Sequence, residues 1–244
     1  MIKKLFVVST LLCFIPNNIL LFGNSDATRI INNTEKKFRS VDSYEVKMTI
    51  SMSIPAFRLP RKKYHVFFKQ PDKIKIESKG FGVLPRTGMF TSPMENFNNL
   101  TDIKIINNLK ELPKDNITVS GNLILDSLAL EMPNDYAKLT FKPTVNVIID
   151  TSKWVITRVT TKIDTLKIME IQNRYDFVDK GYYLPVESKV EYFVKDARLT
   201  KWIKKDIGLF IGDYQNIKGD MVKGLISVIY DNYKVNREIK DSIF

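Results

Sequence analysis

The sequence predicts a mainly β chain with few helices, an α+β fold built on one curved antiparallel sheet. Three observations predict it. First, Tyr44, Val46, Met48, Ile50, Met52 and Ile54 alternate without a break against Glu45, Lys47, Thr49, Ser51 and Ser53. That is the period of a strand dry on one face and wet on the other. Second, segments of strand character follow one another at 137–142, 145–150, 154–163, 166–175 and 182–195, with turn residues such as Asp150-Thr151-Ser152-Lys153 and Asp179-Lys180-Gly181 between them. Third, helical periodicity is strongest in one segment, Thr28 to Asp42, where Ile30, Ile31, Thr34, Phe38 and Val41 share a face. One-sided strands need a cover for their dry face. With few helices to supply it, the sheet curves around itself and encloses an apolar interior, where ligand cavities arise in such folds.

The first 27 residues read as a secretory signal peptide. Lys3 and Lys4 start it, an apolar run extends from Leu5 to Ile15, and Ser25-Asp26-Ala27 offers small residues for cleavage after Ala27. Pro16-Asn17-Asn18 interrupts the run, which is too short for a membrane anchor. Leu12 stands before Cys13 where a lipid-attachment motif requires a small residue. Cleavage would remove Cys13, the only Cys. An exported chain without disulfides fits a bacterial periplasm better than a eukaryotic secretory route. Residues 28–244 then form a single domain, with no linker and no repeat.

After the alternating strand, Lys63 to Lys69 and Lys73 to Glu77 read as two strands joined by a turn at Gln70-Pro71-Asp72. Residues 80–93 combine three Gly and two Pro with Phe81, Val83, Leu84, Met89 and Phe90, a loop or hairpin unusually rich in apolar groups. Short helices are expected at Met94 to Asn99 and Ile105 to Leu112, and a strand at Ile117 to Leu125. Near the end, Tyr182, Leu184, Val186, Val190, Tyr192 and Val194 form one apolar row broken by Ser188. A last strand at 223–234 precedes Val235 to Phe244, expected as a short helix.

The chain has 244 residues, 38 Lys+Arg against 27 Asp+Glu and a net charge of +11. The cations are mostly Lys and scattered, without the Arg-rich stripe and stacking aromatics of a nucleic-acid binder. The charge suits a solvated surface or attraction to anionic membranes. One Cys and one His leave no Cys/His metal cluster. His65, between Tyr64 and Val66, has no nucleophile or carboxylate at close spacing. No catalytic residue, metal or cofactor is expected.

Several stretches together resemble the lipoprotein-localisation carrier family (LolA/LolB-like, outer-membrane lipoprotein-sorting proteins). They are Phe38-Arg39-Ser40-Val41-Asp42-Ser43-Tyr44 leading into the alternating strand, Gln70-Pro71-Asp72-Lys73-Ile74-Lys75-Ile76-Glu77, Asp150 through Val159, and Asn232-Tyr233-Lys234-Val235-Asn236. The resemblance lies in order and texture and covers most of the chain after the signal peptide. It implies an unclosed half-barrel whose concave face is covered by helices. It also implies a periplasmic carrier holding acyl chains of lipoproteins or lipids, a membrane-bound receptor or transporter as further partner, and a monomer. Family carriers use a cavity Arg to hold the lid; Arg58, Arg61 and Arg158 remain alternatives. The apolar rows carry two readings, core packing and lining of an acyl cavity. The candidates are Val46, Met48, Ile50 and Met52; Ile74 and Ile76; Trp154 and Ile156; Leu184, Val190 and Tyr192. An envelope sensor or protein-interaction domain on the same fold is the other reading of function, and fold alone does not decide between them.

Overall fold

The computed structural model describes residues 25–54, 57–58, 60–78, 92–106, 112–124, 143–194 and 222–244. Residues 1–24 of the expected signal peptide, the strand at 137–142 and all of 80–93 except its last two residues lie outside them; Ser25, Asp26 and Ala27, the expected cleavage site, form the first turn of α1, with Ala27 buried. The elements are α1 (Ser25–Arg39), β1 (Ser43–Ile54), β2 (Phe57–Arg58), β3 (Lys62–Lys69), β4 (Lys73–Ser78), α2 (Glu95–Asn98), β5 (Leu100–Ile106), β6 (Asn116–Leu123), β7 (Thr144–Asp150), β8 (Val155–Ile163), β9 (Leu166–Val178), β10 (Tyr182–Val194) and β11 (Val222–Val235).

All strands belong to one antiparallel sheet ordered β4-β3-β1-β11-β10-β9-β8-β7-β6-β5, with β2 folded back onto β1. The described strands do not close on themselves, so β4 and β5 are the two edges of an unclosed half-barrel. Nearly every neighbour on this path is also a neighbour in sequence. The exceptions are β1 with β3, which skips only the short β2, and β1 with β11, where Met48 faces Tyr230 and Ile50 faces Val228.

The dry faces make two clusters. One gathers Val46, Met48 and Ile50 of β1, Tyr64 and Val66 of β3, and the facing residues of β10 and β11. The other packs Ala27, Ile30 and Ile31 of α1, together with Phe97 of α2, on Ile103, Val119, Val147 and Ile156 of β5 to β8. Helix α1 therefore lies over the β5–β8 half of the sheet. Asp26 in its first turn and Lys36, Lys37 and Arg39 in its last complement the helix dipole. The carbonyls at its C-terminal end find donors in the β3–β4 turn: the Gln70 side-chain amide donates to Val41 at 3.3 Å and to Phe38 at 3.5 Å.

Among the described residues, two expected helices are not helical. Residues 105 and 106 continue β5, paired with Val119 and Thr118 of β6; residues 107–111 lie outside the described set. After β11 the chain makes a bend and one 3-10 turn at Asp241–Ile243 instead of a helix. Side chains hold that tail: the Lys69 ammonium donates to the Ile239 carbonyl at 3.2 Å and the Asp241 carboxylate at 2.6 Å. Asn236 accepts the main-chain N–H groups of Asp42 and Ser43, so the end of β11 fastens the start of β1.

Candidate functional site

A concavity of about 160 Å³ lies between α1 and the inner face of β8 to β11. Thr34, Lys37 and Phe38 of α1 form one wall, and Pro93 and Asn96 beside α2 extend it. The floor is an aromatic ribbon. Phe38 tilts against Phe68 at 5.8 Å, Phe68 stacks on Tyr44 at 4.9 Å, Tyr44 meets Tyr233 edge-on at 5.8 Å, and Tyr233 stacks on Tyr230 at 6.5 Å. Such rings offer large apolar contact with little rotamer freedom to lose.

Three phenolic tips in this apolar space have partners within the sheet. The Tyr233 hydroxyl donates to the Pro185 carbonyl at 2.7 Å, and the Tyr175 hydroxyl to the Ile156 carbonyl at 3.0 Å. The Tyr230 hydroxyl donates to Ser188 at 3.3 Å, and Ser188 in turn donates to Asn173 at 2.7 Å. Burial pushes the phenols of Tyr44, Tyr175 and Tyr233 well above their ordinary value and that of Tyr230 up to about 12. These four phenols stay neutral at physiological pH.

The β8–β9 seam explains why the concavity opens where it does. Pairing between these strands runs from Ile163↔Leu166 to Arg158↔Gln172 and stops. Beyond that point β8 keeps β7 as a partner and β9 keeps β10. Two side chains span the gap: the Asn173 amide and the Tyr175 hydroxyl both donate to the Ile156 carbonyl, at 3.1 and 3.0 Å. Lys153 closes the outer end, its ammonium 5.3 Å from the Phe177 ring centre and 5.6 Å from that of Tyr183. Between them Trp154 holds a left-handed backbone, φ 55°, at the end of the β7–β8 turn. Asp150 builds that turn by accepting the Ser152 and Lys153 N–H groups.

On the α1 side, the buried Glu35 carboxylate accepts from Arg39 at 2.7 Å, from the Ser92 hydroxyl, and from the Met94 N–H at 3.4 Å. It ties the helix to the turn before α2.

Trp154, Ile156, Leu184 and Val190 of the sequence-derived candidates line the concavity. Val46, Met48, Ile50 and Tyr192 are buried in the first cluster, with Met52 and Ile76 packed against it; Ile74 is 38% exposed on the edge strand β4. Arg61 and Arg158 are exposed, and neither lines the concavity, whose cation is Lys37; the Arg58 side chain lies outside the described set. The sequence reading missed the Tyr ribbon and Asn173, whose members are scattered from β1 to β11. It also took Ser188 for a break in the row, where it is the centre of a polar chain. His65 sits on the opposite face, 2.7 Å from Glu45, which also binds Lys234 at 2.8 Å. Burial alone would raise the Glu45 carboxyl, but the Lys234 and His65 contacts outweigh it and hold it low.

The sequence matches no protein-family profile, and a comparison with curated proteins finds no match. Among solved structures, the chain is similar to a LolA superfamily protein from Nitrosomonas europaea (TM-score 0.44, 11% identity, covering 89% of this chain and 96% of that one). It is similar to a DUF1329 family protein from Desulfovibrio piger (TM-score 0.44, 7% identity, 88% and 95% covered). It is also similar to a domain described as an outer membrane lipoprotein-sorting protein from Vibrio parahaemolyticus (TM-score 0.38, 8% identity, 88% and 96% covered).

Proposed function

We propose that this protein is a periplasmic carrier that holds acyl chains of lipids or lipoproteins in the concavity between α1 and β8–β11, by binding and without chemistry. The observation that carries this reading is the lining itself. Aromatic and aliphatic groups face an open space of about 160 Å³, and the described hydroxyls of Tyr175, Tyr230 and Tyr233 are engaged by the sheet. An apolar engineered cavity of about 150 Å³ takes one benzene. The space therefore suits a short stretch of chain, and a longer one needs α1 or the β8–β9 seam to move. Each methylene transferred from water contributes about 0.8 kcal/mol, so a few buried carbons give useful but reversible affinity.

Native mass spectrometry of the exported protein, with extraction of bound material, tests the reading. The expected result is an acyl-bearing species that is lost in Leu184→Glu. A clean unbound mass, together with no uptake of a fluorescent fatty acid, would refute it.

A protein-interaction role is the second reading. It is favoured by two exposed apolar side chains, Ile229 on the convex face at 46% and Phe177 at 60% beside Tyr183 and Lys153. In that case a partner would be captured without lipid.

A further inference from the structure

The β8–β9 seam has a second cleft, on the convex side. It is lined by Thr157 and Arg158 of β8, Gln172 and Asn173 of β9, Asn116 of β6, and Ile148 of β7, with a volume of about 540 Å³. Asn173 lines both this cleft and the inner concavity, so the two spaces meet at one side chain. Their chemistry changes across it. Inside are Val159, Ile171 and Trp154; outside, two amides, a hydroxyl and a guanidinium stand beside Leu112, Pro113 and Ile148.

Arg158 is exposed and has no carboxylate at ion-pair distance among the described residues. The carboxylate beside its strand, Glu170, is already held by Lys167 at 3.1 Å, Thr160 at 3.3 Å and Gln172 at 2.6 Å. The Arg158 charge helps to hold that carboxyl low, while its fork of donors lies beside amide and hydroxyl groups in the cleft and matches anionic oxygens. At the point where the two spaces touch, no backbone ladder joins β8 to β9, so a chain can pass between them by displacing side-chain contacts alone.

Resting on the carrier reading above, we infer that the ligand is a single-chain anionic amphiphile. Its tail lies in the inner concavity, and its phosphate or carboxylate head is bound by Arg158 in the outer cleft, with Gln172 and Asn116 as neutral donors. Arg158 is thus a specificity residue, distinct from the apolar groups that hold the tail.

The test uses lysophosphatidylglycerol and a monoacylglycerol of equal chain length, both below their micelle concentrations, and inorganic phosphate alone. They are titrated into the full chain and into Arg158→Gln and Arg158→Lys, with circular dichroism melts as the folding control. The charged lipid is expected to bind the wild type about tenfold more tightly than the neutral one, the scale of one charged hydrogen bond. Arg158→Gln should erase that preference while leaving monoacylglycerol binding unchanged. Arg158→Lys should keep part of it. Equal binding of the two lipids in the wild type overturns the inference and leaves the carrier reading standing, as does a preference that survives in Arg158→Gln. Inorganic phosphate binding as tightly as the lysolipid would make the cleft a free-anion site and overturn the amphiphile assignment. Binding of neither lipid overturns both readings.

Discussion

The side-chain amide of Asn173 donates to the main-chain carbonyl of Ile156 at 3.1 Å, across a seam where the β8–β9 ladder has ended. One residue thereby replaces a backbone bond, accepts the Ser188 hydroxyl and forms the boundary between two clefts. A buried network of this kind is stable only when each member is satisfied.

Asn173→Leu tests that role. It removes the donor to Ile156 and the acceptor of Ser188, which is 2% exposed. Leaving buried groups unpaired costs about 1–3 kcal/mol. In a chain of this size each kcal/mol lowers the melting temperature by roughly 2–4 °C. A calorimetric melt unchanged from wild type would mean that the seam is held by other contacts.

Trp154 predicts an unusual order of variants. A left-handed backbone costs an L-residue roughly 1–2 kcal/mol, and glycine is largely free of that penalty. Trp154→Gly should therefore be more stable than Trp154→Ala by about 1 kcal/mol, although glycine normally ranks below alanine in ordered structure. Both should weaken acyl binding, since the indole lines the concavity. Urea denaturation of the pair decides it, and alanine proving the more stable would refute the strain argument.

Met48 and Leu184 separate core from cavity. Met48 is fully buried in the first cluster, so Met48→Ala should cost about 2–5 kcal/mol with unfolding as its main consequence. Leu184 is half-buried against the open space, so Leu184→Ala should cost less stability and more ligand. Paired measurements of melting and fatty-acid uptake distinguish them. A Leu184→Ala protein with full uptake would place the ligand elsewhere.

Acid should loosen the end of the sheet where β11 meets the β9–β10 turn. The Val235 N–H donates to Asp179 at 2.6 Å, and Arg237 lies 3.4 Å away; the two together hold the Asp179 carboxyl below its ordinary value. A carboxyl with a depressed folded pKa contributes stability above its unfolded pKa of about 3.9 and loses it as pH falls through the folded value. The wild type should therefore weaken between roughly pH 5 and pH 2, and Asp179→Asn should be weaker at neutral pH but flatter across that window. Equal slopes in melts at a series of pH values would exclude the Asp179 contribution.

Much of this fold is legible in the residues. The complete alternation of β1 follows from one buried and one solvated face, and Asp179-Lys180-Gly181 turns the chain because Lys180 and Gly181 adopt positive φ, 61° and 100°. Short or irregular elements were harder. β5 was read partly as a helix because it is brief and its pairing shifts register between Thr101 and Lys104, so local periodicity is lost. The segment after Val235 has helical spacing, but bonds from Lys69 and Ser43 hold it extended. The concavity was legible only as a consequence of curvature. Its place depends on where β8 and β9 part, and that is set by pairings between distant segments that no local window contains. Val186 illustrates the limit. It belongs to the apolar row of β10 by alternation, yet the register shift between Pro185 and Glu187 brings it to the convex groove beside Ile229.

The pairing of β1 with β11 has a consequence for how the chain is assembled. Asp42 and Asn236, joined by a hydrogen bond, stand 194 positions apart. A chain emerging from its N-terminus presents β1 long before β11 exists, and the local pairings with β2 and β3 shelter it meanwhile. β11 is thus the keystone: with it missing, the sheet is cut through its middle, leaving β4-β3-β1 on one side and β10 through β5 on the other.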